Sequence, residues 1–198
     1  MYFSDFTFNK SKERTLIFIH GAYGTAGYWL PYLKVFNNYK IIVLNMNYSA
    51  ILNTNKDLNL TKLLLEKYVL EHDLVAVISH SLGTIFSNIF NINNQVLNFN
   101  ICPMVYSERI NIDNFNIELQ SRINSKGGEL RTNANLTVKL IEDSKSFISD
   151  RIFYLIPQAD IFFIYDFPFS IQKIYFTGNH FEIENAVNII ATKLVSEI

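Results

Sequence analysis

The stretch Leu74-Val75-Ala76-Val77-Ile78-Ser79-His80-Ser81-Leu82-Gly83 carries the strongest structural signal in the chain. Its first five residues are apolar at every position, which suits a strand covered on both faces rather than on one. A helical segment, Thr84 to Phe90, follows the glycine at once. A strand, a tight turn and a helix in immediate succession expose the residue at the apex and aim the first N–H groups of the helix at it. Side chains two before and two after the apex would collide, and the sequence places Ser79 and Gly83 there. This is the G-x-S-x-G turn that presents a nucleophilic serine, with its first glycine replaced by serine. The plainer alternative is a serine-rich loop that only caps a helix.

Similar apolar runs recur on either side: Thr15 to Ile19, Ile41 to Leu44, Val96 to Ile101, Ile152 to Ile156, and Ile174 to Phe176. Helix-spaced apolar residues lie between and after them: Leu60, Leu63, Leu64 and Tyr68; Ala134, Val138, Ile141 and Ile148; Ile183, Ala186, Val187, Ile190 and Leu194. Strands alternating with helices predict an α/β fold, a mostly parallel sheet covered by helices on both faces. One stretch, about 104–132, breaks the rhythm. It shows no convincing strand, only a short helical pattern (Phe115, Leu119, Ile123) that stops at Gly127-Gly128. The expectation is a small helical cap inserted into a single domain spanning residues 1–198.

Composition narrows the function. With 49% hydrophobic and 18% charged residues the chain is not a disordered one. The net charge is −1 and no Lys/Arg run stands out, so the footprint of a nucleic-acid binder is missing. Cys102 is the only cysteine, which excludes an internal disulfide and a cysteine zinc cluster. Met1-Tyr2-Phe3-Ser4-Asp5 lacks the basic start of a signal peptide, and no run approaches the ~18 apolar residues of a membrane span. The expectation is a soluble cytoplasmic protein, not integral to a membrane, with a small-molecule partner.

Three further signals belong with Ser81. His20-Gly21-Ala22-Tyr23-Gly24 ends the first strongly apolar strand, and a loop there can aim the Ala22 N–H at the turn, opposite the Leu82 N–H. Two convergent N–H groups make an oxyanion hole; His20 itself is expected to serve its own loop. Asp160 lies just past the run Ile152 to Ile156. His180, in Gly178-Asn179-His180-Phe181, lies just past Ile174 to Phe176. Ends of neighbouring parallel strands share the edge where ligand sites of open α/β sheets lie. There His180 can take the Ser81 proton while Asp160 orients the imidazole.

Other residues carry less. His80 reads as a packing or hydrogen-bonding residue rather than a second base, and Cys102 as a small core residue with no His or acid placed to activate it. No histidine pair has metal-ligand spacing, so no metal site is expected. No glycine-rich phosphate loop is present either, so no cofactor is expected. Tyr23, Trp29 and Phe181 are substrate-pocket candidates, although in a chain with 17 Phe such rings also serve simply as core.

The order of these motifs resembles that of the α/β-hydrolase superfamily, from about Arg14 to Ile198: the His20-Gly21 loop, the Ser79–Gly83 elbow, Asp160 and Gly178-Asn179-His180. The resemblance implies a Ser81 nucleophile, a His180 base, an Asp160 acid and an oxyanion hole of Ala22 and Leu82. The insertion falls where the family carries its cap. Ser79 departs from the family's glycine, and the interval from Asp160 to His180 leaves little room for a full helix. Asp166 is the runner-up acid. The implied activity is hydrolysis of a carboxylic ester or thioester with a small apolar acyl group. A non-hydrolytic ligand-binding or scaffold role on the same fold, or C–C hydrolase or lyase chemistry, is the alternative.

Overall fold

A computed structural model describes residues 1–22, 24–90, 96–109, 132–146 and 148–197. A seven-stranded sheet runs in the order β1-β3-β2-β4-β5-β7-β9. The strands are β1 (Phe3–Phe8), β2 (Thr15–Ile19), β3 (Lys40–Met46), β4 (Leu74–His80), β5 (Leu97–Ile101), β7 (Ile152–Pro157) and β9 (Gln172–Phe176). All neighbours are parallel except β1, which pairs antiparallel with β3. The expected α/β class and mostly parallel sheet are present, and each of the six apolar runs is a strand of it.

The every-position apolar pattern has a direct cause: alternate residues enter different cores. Leu16 and Phe18 of β2, with Ile41 and Val43 of β3, face one cluster, closed by the 3-10 helix Ala26–Phe36 and the C-terminal helix. Ile17 and Ile19, with Ile42 and Leu44, face a second cluster closed by four helices. These are α1 (Tyr48–Ile51), α2 (Asn55–Glu71), α3 (Thr84–Ser87) and α4 (Ala134–Lys145), and the C-terminal helix is α5 (Glu184–Glu197). Each buried aliphatic or aromatic side chain contributes roughly 1.5–3 kcal/mol, so the two layers supply the bulk of the stability.

The helices answer the sequence pattern unevenly. On α5 the expected stripe of Ala186, Val187, Ile190 and Leu194, with Ile183 just before it, is buried throughout. On α2 the expected leucines are not the buried ones: Leu58, Thr61 and Leu65 are buried and Leu60, Leu63 and Leu64 are exposed, while Tyr68 of the expected set packs half-buried against the core. This helix has leucines around most of its circumference, so docking rather than hydropathy selects its inner face. Thr61 is accommodated there because its hydroxyl donates to the Asp57 carbonyl at 2.8 Å. On α4, Leu136 and Leu140 are buried and Val138 is exposed, and Ile148 lies past the helix end and is exposed.

Three strands were not foreseen. β1 has neither an apolar run nor a regular alternation, since Ser4 and Asp5 are adjacent, and is held by pairing to β3. The other two, β6 (Ser107–Arg109) and β8 (Phe163–Tyr165), form a separate two-stranded antiparallel sheet. β6 therefore corrects the expectation of no strand in 104–132. Three-residue strands carry no periodicity to detect and exist only through their tertiary partner. β8 occupies the interval after Asp160, where a full helix would not fit. Residues 110–131, including Phe115, Leu119, Ile123 and Gly127-Gly128 of the expected cap, lie outside the described residues.

Candidate active site

β4 ends at His80, and Ser81–Gly83 forms one 3-10 turn leading into α3. Ser81 takes φ +50°, the left-handed region that non-glycine residues enter at a cost of order 1–3 kcal/mol. That conformation turns the serine out of the strand direction. The space around it is tight. A Cβ at Gly83 would lie 2.6 Å from the His20 carbonyl, and one at Gly21 would lie 2.9 Å from the Ser81 Cβ. Both glycines thus let the His20–Gly21 loop run directly against the serine turn. Ser79, where glycine was the expected residue type, fits because its hydroxyl donates to Asn100 Oδ1 at 2.7 Å across the β4–β5 pair.

The loop beside Ser81 is itself pinned. His20 Nδ1–H donates to the Gly21 carbonyl at 2.7 Å, and Nε2 accepts from the Met46 N–H at 2.9 Å. The Tyr48 hydroxyl donates to the His20 carbonyl. His20 therefore ties the ends of β2 and β3 to the loop, the structural role expected of it. Ala22 is half-buried. Leu82 is the second residue of its 3-10 turn, where an N–H has no helical carbonyl to bond.

Asp160 follows β7, and His180 follows β9, the next strand in the sheet. Ser81 Oγ lies 3.1 Å from His180 Nε2, and His180 Nδ1 lies 3.0 Å from Asp160 Oδ2. Nδ1–H donates to the carboxylate, which leaves Nε2 to accept the serine hydroxyl proton. Asp160 Oδ1 also accepts from the Phe162 and Phe163 N–H groups at 2.8 and 3.2 Å, and Oδ2 accepts from the Tyr165 hydroxyl at 2.6 Å. Burial pushes the Asp160 carboxyl up, but the hydrogen bond and charge of His180, with the Tyr165 hydroxyl and the Phe162 N–H, outweigh it. The net result lies below the usual carboxylate value. Asp166 is exposed and takes no part; its N–H bonds the Tyr106 carbonyl.

The loop that carries His180 has a strict backbone. Gly178 has φ +153°, and a Cβ there would lie 2.2 Å from the Glu182 carbonyl. Asn179 Oδ1 then accepts from the Phe181 and Glu182 N–H groups at 2.9 and 3.1 Å, closing the turn before α5.

The pocket candidates separate. The Phe181 ring lies 5.2 Å from the His180 ring and 5.5 Å from Phe162, beside the site. Trp29 does not line it: the ring is fully buried against Phe18 and Tyr28, a core residue after all. Tyr23 lies outside the described residues. Two neighbours escaped sequence reasoning. Tyr165 sits on a strand that has no sequence signature. Cys102 is buried as expected, yet its thiol, a carboxylate oxygen of Asp160 and a ring nitrogen of His180 lie within 4.8 Å of one another. Burial, then the Asp160 charge, pushes that thiol well above its usual value. A soft metal takes such a donor set, but the two other members are already hydrogen-bonded to each other. Residues 58 and 20 positions apart in sequence gave no spacing by which to foresee it.

No family profile matches the chain, and no curated protein matches it in sequence. Solved structures do match it in shape. A monoacylglycerol lipase of Paleococcus ferrophilus superposes with a TM-score of 0.68 at 12% identity, covering 100% of both chains. The carboxylesterase CesB of Bacillus subtilis gives 0.60 at 12% identity, covering 98% of this chain and 86% of its own. The thioesterase domain that cyclises the lipopeptide surfactin gives 0.59 at 12% identity, covering 96% and 95%. With a mostly parallel sheet, a serine turn after β4 and an acid and a histidine after β7 and β9, the chain has the α/β-hydrolase fold.

Proposed function

We propose that the protein is a serine hydrolase acting on a carboxylic ester or thioester of a small apolar acyl group. The observation that carries this reading is the continuous hydrogen-bond chain Ser81–His180–Asp160, assembled from the ends of three strands. Ser81 Oγ attacks the carbonyl carbon while His180 Nε2 takes its proton. The Ala22 and Leu82 N–H groups hold the oxygen that becomes negative, and Asp160 stabilises the imidazolium. His180 then protonates the departing alcohol or thiol, leaving an acyl group on Ser81. Water loses a proton to His180 as it attacks that acyl group, and the carboxylic acid leaves as Ser81 regains its proton. None of these steps calls for a cofactor. Aromatic rings of Phe162 and Phe181 beside His180 favour an apolar acyl group. The esterases and thioesterases that share the fold make this chemistry the natural first reading.

A fluorophosphonate probe tests it, followed by p-nitrophenyl esters and acyl-thioesters of graded chain length. Labelling and turnover by the wild type, with neither by Ser81→Ala, is the expected result. Equal labelling of both, or of neither, overturns the assignment; the second outcome would leave a ligand-binding or scaffold role on the same fold.

A further inference from the structure

Ser81 and His180 lie 99 positions apart in sequence, so their contact depends on whatever ties the His180 loop to the serine turn. That tie comes from the turn's own neighbour. The His80 Nε2–H donates to the main-chain carbonyl of His180 at 2.8 Å. The same carbonyl lies 3.8 Å from the Cys102 thiol, where a weak S–H donor reinforces it. The plane of the His80 ring is set by Tyr28, stacked on it at 4.9 Å and 26°, and its ring lies 5.1 Å from that of His180. His80 is 3% exposed, so the bond is shielded from competing water.

We propose that His80 is a positioning residue for the hydrolysis proposed above: it clamps the main chain of His180 so that Nε2 stays aligned with Ser81 Oγ. The inference rests on the reading of Ser81 and His180 as nucleophile and base. His80 is not a second base through Nε2, because the nitrogen that donates to a carbonyl already carries its proton. The role also explains why the residue beside the serine is an imidazole. A side chain here must span from the elbow to the base loop and end in a donor. Misplacing a reacting group by about 1 Å slows a reaction by about 10²-fold, so loss of the clamp should appear in kcat rather than in KM.

The test compares His80→Gln, whose amide donor reaches about as far as Nε2, with His80→Asn, whose donor falls short, and with His80→Leu. Turnover of p-nitrophenyl acetate, thermal midpoints and the downfield proton resonance of His180 Nδ1–H are measured on each. The expected result is a fall in kcat of about 10- to 100-fold in His80→Asn and His80→Leu, with KM nearly unchanged, and substantial recovery in His80→Gln. The downfield resonance should persist in the wild type and His80→Gln and be lost or exchange-broadened in His80→Asn. Equal kcat in the Gln and Asn variants overturns the proposal, even if His80→Leu fails to fold. Ser81→Ala and His180→Ala serve as controls. If they retain turnover, or the wild type has none, the hydrolase reading falls. The resonance in the Gln and Asn variants then decides the clamp by itself: the same resonance in both overturns it.

Discussion

Asp160 receives four hydrogen bonds, from two backbone N–H groups, the Tyr165 hydroxyl and His180. An amide in its place offers a donor where His180 needs an acceptor, so the imidazole turns to its other tautomer and loses the lone pair facing Ser81. Asp160→Asn should therefore lower kcat by on the order of 10⁴-fold, whereas Asp166→Asn, on an exposed side chain, should leave it unchanged. Steady-state kinetics of the pair decides which acid acts. Tyr165→Phe removes one donor from the buried carboxylate, and its expected destabilisation is about 1.5–3 kcal/mol, the range for a bond to a charged group. The sign of the pH effect follows. A carboxyl held below its usual value in the folded state contributes stability that is present above the ordinary carboxylate pKa and lost as pH falls through the lowered one. Without Tyr165 the folded-state value rises, so acid unfolding followed by circular dichroism should begin at a higher pH in the variant.

At the scale of elements, the site depends on two short loops with little slack. Gly178→Ala places a Cβ 2.2 Å from the Glu182 carbonyl in a backbone conformation that L residues rarely adopt, so the His180 loop must move. The expected outcome is a folded protein with strongly reduced fluorophosphonate labelling; labelling at the wild-type rate would show that the loop does not need glycine. Ser79 behaves differently from the glycine it replaces. Its hydroxyl satisfies the buried Asn100, so Ser79→Gly should destabilise the protein by about 1–3 kcal/mol rather than relieve strain. Thermal or urea unfolding measures this, and a stabilised variant would show that the serine is only tolerated. The elements also show what hydropathy conveys. α5 has a clear polar side and its buried stripe was legible. α2 carries leucine on most sides, so the face it buries is chosen by docking. β6 and β8 are too short for any pattern, and with β8 went Tyr165.

At the scale of the molecule, the sheet separates two buried layers, and Trp29 marks the difference between packing and function. Its ring is wholly buried beside Phe18, so Trp29→Ala should lower stability by about 3–5 kcal/mol while leaving KM for a small ester unchanged in the folded fraction. A raised KM with unaltered stability would return this residue to the substrate pocket. Among the described residues no helix is long and apolar enough to cross a membrane.

The sequence by itself determined the parallel α/β core, the serine turn and the chain order of serine, acid and histidine. It could do so because buried strands and sharp turns constrain residue type locally: apolar at every position in the one, small residues at fixed offsets in the other. The tertiary structure decided what depends on distant segments meeting. It chose Asp160 over Asp166 as the partner of His180, brought Cys102 beside both, sent Trp29 into the core and laid His80 under the backbone of His180. Those outcomes turn on a few ångströms between side chains 20 to 100 positions apart, and spacing along the chain holds no record of them.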